Sequence, residues 1–290
     1  MNTIIGLIIT TGCILGGFAS MGGHLGVLIQ PFEILIIAGA GFGGFIMANP
    51  TTIIKDSGVA ILEIFGYKVP NQKFYCDILK VLYAIMQKLK KGQRNEIENH
   101  IDDPLNSSLF IATPKVLENI ELTTFICDYI RLIIIGNARS HEIEILMDDE
   151  IETILQEKLK PYYAISAMGE SFPAIGIVGA ILGIIKAMAN IAQSPEILGP
   201  LIGASLTGTM FGIILSYSIC NPLVSQIKTA RLKKHCLHLI IKKTLIAYMN
   251  GSLPQIAIEY GLKSLPIPER PSLEVIEQEV LKYNHDKKAS

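Results

Sequence analysis

Apolar residues fall along the chain in long runs, separated by stretches in which polar and apolar positions share a helical period. Four runs, at about residues 3–21, 32–54, 171–189 and 197–220, are long enough to cross roughly 30 Å of hydrocarbon as helices. None carries a lysine, arginine or carboxylate near its centre. Glu33, Glu170 and Lys186 fall near run ends, where a long side chain reaches the interface. Elsewhere, residues 74–91 place Ile78, Leu79, Leu82, Ile85, Met86 and Leu89 on one helical face. Residues 122–135 and 142–159 read similarly, with breakers at Gly92, Asp103-Pro104, Thr113-Pro114 and Gly136-Asn137. After the fourth run the pattern predicts a helix over 226–249 and a turn at Asn250-Gly251-Ser252. A helix over 254–261 and a final polar helix over 272–283 complete it.

Basic residues orient this layout. Thirteen of the 25 lie between Lys55 and Lys160, and eleven between Lys228 and Lys288. The connections at 22–31 and 190–196 have none. The expected protein is therefore an all-α membrane protein with four transmembrane helices and a helical cytoplasmic domain. Residues 1–54 and 171–222 form the helix pairs in lipid, and 55–170 and the tail 223–290 are cytoplasmic. Both termini face the cytoplasm, and the two short connections face outward.

Composition agrees: half the residues are hydrophobic and 18% are charged, with a mean hydropathy of +0.42. The first run lacks a signal peptide's basic flank and cleavage site, so it reads as a membrane helix. A net charge of −1 gives no footprint for nucleic acid. Five scattered cysteines form no CxxC pair, and His235 and His238 lack a third ligand, so no disulfide or metal site is expected. There is no Walker loop, no Gly-x-Ser-x-Gly elbow and no His-Glu-x-x-His motif, so nothing points to an enzyme. Residues 148–150 are acidic, but nothing nearby in sequence completes a metal site.

Small residues recur four apart inside the runs: Gly12/Gly16, Gly39/Gly43, Gly179/Gly183, Ala204/Gly208 and Gly208/Gly212. This spacing favours close helix approach in lipid, within a chain or between subunits. Thr207 and Thr209 sit near mid-depth of the fourth run and Ala180 near mid-depth of the third. The threonine hydroxyls either bond the preceding turn of their own helix or serve a polar path. Pro173 opens the third run and Pro222 closes the fourth, where proline commonly punctuates helices. Asp128 and Arg131 are spaced for a structural ion pair.

The fourth run, Ala-Ser-Leu-Thr-Gly-Thr-Met-Phe-Gly over 204–212 followed by Asn221-Pro222, resembles the signature of the MotA/PomA family. Further similarity lies at 31–40, 128–133, 142–152, 169–178 and in Glu-Arg-Pro-Ser over 269–272. It spans nearly the whole chain. The resemblance implies an inner-membrane stator subunit of the bacterial flagellar motor, in a homo-oligomer of five around two MotB-like partner chains. It implies no cofactor, and an ion-carrying aspartate on the partner helix, beside Thr209 and near Ala180. Sodium-driven relatives tend to carry threonine at the position of Ala180, so protons rather than sodium are the expected coupling ion. Pro173 and Pro222 become coupling prolines. Lys90 and Glu98 become the pair that meets the rotor protein FliG, with lysine where the family often has arginine. Glu150 lies in the family's acidic stretch, as a solvated charge or a functional one. The ExbB/TolQ class, which energises outer-membrane processes, is the alternative; it usually has three spans.

Overall fold

Prolines, asparagine caps and left-handed glycines cut the chain into helices. The computed structural model describes residues 2–65, 70–136 and 139–281, and all regular structure among them is helical. In order come α1 (Asn2–Ser20), a 3-10 turn (Leu25–Leu28), α2 (Pro31–Ala48), α3 (Thr51–Phe65), α4 (Gln72–Lys90) and α5 (Arg94–Asp102). The short α6 (Ser108–Ile111) and α7 (Pro114–Glu118) lead into α8 (Ile120–Ile135). Then follow α9 (Ser140–Met188), α10 (Pro195–Ile213), a π-helical segment (Ile214–Cys220) and α11 (Asn221–Met249). The tail holds α12 (Pro254–Lys263), a 3-10 turn (Ile267–Glu269), α13 (Leu273–Ile276) and a π-helical turn (Glu277–Leu281). Asn71 and Asn119 cap α4 and α8 by accepting bonds from the Phe74 and Leu122 amides. Gly92 and Gly136 end the same two helices at φ +76° and +79°, a conformation that side chains disfavour.

Several boundaries differ from the sequence expectation. The second run is not one helix to residue 54: α2 ends at Ala48 and α3 restarts at Thr51, just after Pro50. The third run does not begin a helix. It is the last part of α9, which runs unbroken for 49 residues with Pro161 and Pro173 inside it. Nor does the helix stop at Pro222. The π-helical segment passes directly into α11, with Pro222 in its first turn. The final polar helix is a single α-turn followed by a π-turn, and its expected end at 282–283 lies outside the described residues, as does Asn137. Among the described residues three stretches are long and apolar enough to cross a membrane: Leu25–Ala48, Ser140–Met188 and Pro195–Met249. α1 adds a shorter apolar stretch, Ile4–Ser20.

The chain divides into two compact units, residues 1–68 with 158–230, and residues 69–157 with 231–290. In the first unit, glycine lets helix backbones meet. A Cβ at Gly176 of α9 would stand 3.1 Å from the Gly208 carbonyl oxygen and 3.3 Å from the Gly212 Cα of α10. One at Gly212 would collide with the Phe172 carbonyl. The Phe172 ring fills the space beside Gly41 of α2 and clusters with Ile37 and Cys220. By contrast, Gly12, Gly16, Gly39 and Gly43 have open space where a Cβ would sit. Large apolar side chains such as Phe32, Leu35, Ile181 and Leu206 stay exposed on this unit, as on a surface that meets lipid or other chains.

The second unit is built around α4, with Tyr75, Ile78, Leu79, Leu82, Ile85 and Met86 fully buried. α5, α7, α12 and the last π-turn pack against it. The Glu-Arg-Pro-Ser stretch fastens the tail. Glu269 accepts a bond from the Tyr75 hydroxyl (2.8 Å) and pairs with Lys233 (2.6 Å). Arg270 donates to the Lys263 and Leu265 carbonyls at the end of α12, and Ser272 caps α13. The core cation Lys242 is paired with Asp148 and Glu144.

Gly212→Ala should lower the unfolding temperature of the detergent-solubilised protein, because the added methyl meets a carbonyl with no flexible side chain to yield. The expected cost is about 1–3 kcal/mol. Gly6→Ala, with open space around it, should leave thermal unfolding unchanged or slightly raised.

Candidate functional site

The α9–α10 crossing gathers most of the candidate residues of the first unit. Ala180 is buried on α9, and a Cβ at Gly208 would stand 3.7 Å from its amide nitrogen. Thr209 follows Gly208 and is half-buried; its Cα is 3.3 Å from the Cβ position of Gly176. Thr207 is buried, and its hydroxyl donates to the Ala204 carbonyl at 2.6 Å, the self-satisfied option for a threonine in a helix. Ser205 does the same to Leu201.

One residue that the sequence placed at an interface belongs to this cluster. Glu33, in the first turn of α2, is 8% exposed. Its carboxylate lies against Gly208, where any Cβ would clash with Oε2, and Oε2 has no hydrogen-bond partner. Gly208 lies about 20 Å along α10 from its start, at 1.5 Å per residue. The expectation that Glu33 reaches the interface is thus corrected. The 3-10 turn before α2 packs on α10, with Val27 3.8 Å from the Cβ position of Gly203, so α2 starts deep. The signal was in the sequence: residues 25–29 are apolar and prolong the run upstream of Gln30-Pro31.

The break that Pro173 makes in α9 and the end of the π segment ahead of Pro222 come together at Gly169 and Cys220. Pro173 cannot donate to the Gly169 carbonyl one turn earlier. A Cβ at Gly169 would stand 2.9 Å from the Cys220 Cβ, and Cys220 is two residues from Pro222. The π register of residues 214–220, with the Asn221 amide bonded to Ser216, widens the helix just ahead of that proline. Such segments are frequent at functional sites. Neither proline is the simple helix terminator that its position in the sequence suggests.

Lys90, Glu98 and Glu150 lie in the second unit. Lys90 ends α4 and Glu98 lies on α5, both exposed and without a salt bridge among the described residues. Lys88 is not a free surface charge: it pairs with Glu96 at 2.8 Å across the Gly92 turn. Glu150 is exposed, yet it accepts a 2.6 Å bond from the Tyr129 hydroxyl of α8. Burial, and this bond to a carboxylate, push the Tyr129 phenol up, so it stays protonated and donates. Arg131 bridges Asp128 and Asp102 at the surface. His238 packs its ring edge against Phe125 in the core. Among the described residues no three His, Cys, Asp or Glu side chains gather to hold a metal.

Apolar helices that meet through glycine are the architecture of a helical membrane protein. The Motility protein A N-terminal family matches residues 4–93, and the MotA/TolQ/ExbB proton channel family matches residues 116–235. Motility protein A of Salmonella typhimurium is 38% identical over 97% of this chain and 95% of its own length. That of Escherichia coli is 36% identical over the same shares. The C. jejuni MotAB structure superposes with a TM-score of 0.75 at 18% identity, covering 94% of this chain and 98% of that one. The Bacillus subtilis flagellar MotAB stator complex gives 0.67 at 20%, covering 99% and 98%. The chain belongs to the motility protein A branch of the MotA/TolQ/ExbB proton channel family. It is a membrane protein homologous to a flagellar stator subunit.

Lys90→Glu and Glu98→Lys should leave thermal unfolding of the purified protein within about 0.5 kcal/mol of wild type, since neither group is buried or paired. Tyr129→Phe should cost about 1 kcal/mol by leaving the Glu150 carboxylate without its donor.

Proposed function

We propose that this chain joins a MotB-like partner in a proton-conducting complex that turns ion-motive force into torque on a rotor. In this reading α1, α2, the last part of α9 and α10 with its π segment span the bacterial inner membrane four times, with both termini cytoplasmic. Five copies surround two partner chains. The carrying observation is the α9–α10 crossing, which presents Ala180 and Thr209 at one depth in a wall of small residues. The partner would supply a carboxylate there. An ionised carboxylate at bilayer centre costs about 2.5–3.5 kcal/mol, and protonation removes that cost. Ala180 offers no side-chain oxygen to a desolvated hard cation, which favours protons over sodium.

Moving one charge through 100 mV is worth roughly 2.3 kcal/mol, enough to bias a packing arrangement with two closely balanced states. The stretch from the Pro173 break through the π segment to Pro222 is the proposed coupling joint. The exposed Lys90 and Glu98 are proposed to meet the rotor protein FliG. Lysine keeps the charge of the family's arginine but not its planar fork, so charge steering would dominate that contact. Glu150, already held by Tyr129, is assigned a positioning role on α9. The match to the motility N-terminal family over 4–93 and the motility relatives support this reading over an ExbB/TolQ-like one. Nothing in the cluster suggests a reaction centre of an enzyme.

The test is bead rotation in a strain that has this chain and its partner as the only stator. Rotation should persist when sodium is removed at constant proton-motive force, and Lys90→Glu or Glu98→Lys should slow it with membrane levels unchanged. Arrest on sodium removal would refute proton coupling.

A further inference from the structure

The partner's carboxylate leaves Glu33 without a role, yet its setting is unusual for a glutamate. It is more than nine-tenths buried in an apolar helix pair, and Oε2 lacks a hydrogen bond. The polar group that the carboxylate faces is the Gly208 backbone, and burying an ionised carboxylate with no charged partner is so costly that the group takes up a proton or finds a mobile partner. Side chains with those properties inside membrane helices mark ion paths more often than they mark packing.

Three placements say which path. Oε2 abuts Gly208, the residue just before Thr209, and Gly208 in turn faces the Ala180 amide. The carboxylate occupies the space that a Cβ at 208 would take, so glycine there leaves it room. Glu33 also stands in the first turn of α2, immediately after the uncharged connection expected to face outward. Glu170 is exposed farther back on α9, and the charged or basic groups at the expected outward ends of the elements that pack here are His24 before the 3-10 turn, Lys186 at the end of α9 and Glu196 at the start of α10. All three are exposed.

We propose that Glu33 is a second proton-binding site, carried by this chain itself on the outward side of Thr209. Its carboxylate takes a proton from the outer aqueous side and becomes a neutral acid. It then passes the proton inward, directly or through water, to the acceptor beside Thr209 and returns to the carboxylate. No other bond forms or breaks. Each proton is thus bound twice during its passage, once on each subunit type. The inference rests on the proton-conducting reading above.

Glu33→Gln keeps the shape of the neutral acid and cannot exchange the proton. Glu33→Asp keeps the chemistry and withdraws it by one methylene. Both are read as rotation speed at low load per assembled stator, counted from stepwise recovery in a strain that lacks its own stator. Proton-transfer groups contribute about a hundredfold or more where transfer limits rate, so Glu33→Gln should slow each assembled stator by at least about tenfold. Glu33→Asp should fall between. A packing role would reduce the number of assembled stators and leave the speed of each unchanged, and that result overturns the proposal. Were Glu33→Gln to assemble no stators, Glu33→Asp decides: wild-type speed per stator refutes the relay and reduced speed supports it. Failure of the underlying reading shows elsewhere, as wild-type rotation that stops without sodium.

Discussion

The cluster around Gly208 depends on the absence of side chains where α9 meets α10. Gly176 and Gly212 bring two backbones to a separation that a single methyl group would disturb. In lipid there is little hydrophobic gain from such an approach, so close packing of backbone and small side chains has to hold it. The same contact fixes everything nearby. It sets Ala180 beside Gly208, presses the Phe172 carbonyl on Gly212 and its ring on α2, and leaves the niche filled by the Glu33 carboxylate. A larger residue at any of these glycines would displace the candidate ion site as well as weaken the packing.

Around that rigid crossing the backbone is deliberately imperfect. Pro173 breaks the hydrogen-bond ladder of α9, and the π segment breaks that of the α10–α11 run near Pro222. Both irregularities meet at the Gly169–Cys220 contact. Weak points in otherwise continuous helices are natural places for a small change in bend. A charge or proton arriving at the crossing could bias them without unfolding either helix. The second unit contrasts with this. α4 is buried along nearly its whole length, and Glu269, Lys233, Lys242, Asp148, Tyr129 and Glu150 tie its helices together.

Much of the fold was legible in the sequence because its cues are local. Apolar runs, the period of residues 74–91 and the breakers at Gly92 and Gly136 each act within a few residues. Helix continuity was not legible. Pro173 and Pro222 look like terminators to any local rule, and only packing on both sides keeps the helices running through them. Glu33 was misplaced for a related reason. Its depth depends on the 3-10 turn folding against α10, a contact between residues far apart in sequence. The tail motif Glu269–Ser272 was recognisable as a resemblance, but its work as a clasp on Tyr75, Lys233 and the end of α12 needs coordinates.

Division of labour between two chains is the point on which the functional reading turns. The polar cluster of this chain has one deep carboxylate and no second group to receive its proton among the described residues. The most direct measurement is acidification of proteoliposomes under an imposed potential in sodium-free buffer, with this chain alone and with its MotB-like partner. Proton entry only with both chains present is the predicted result. Equal flux through this chain alone, or none with the partner freed to conduct, would contradict it.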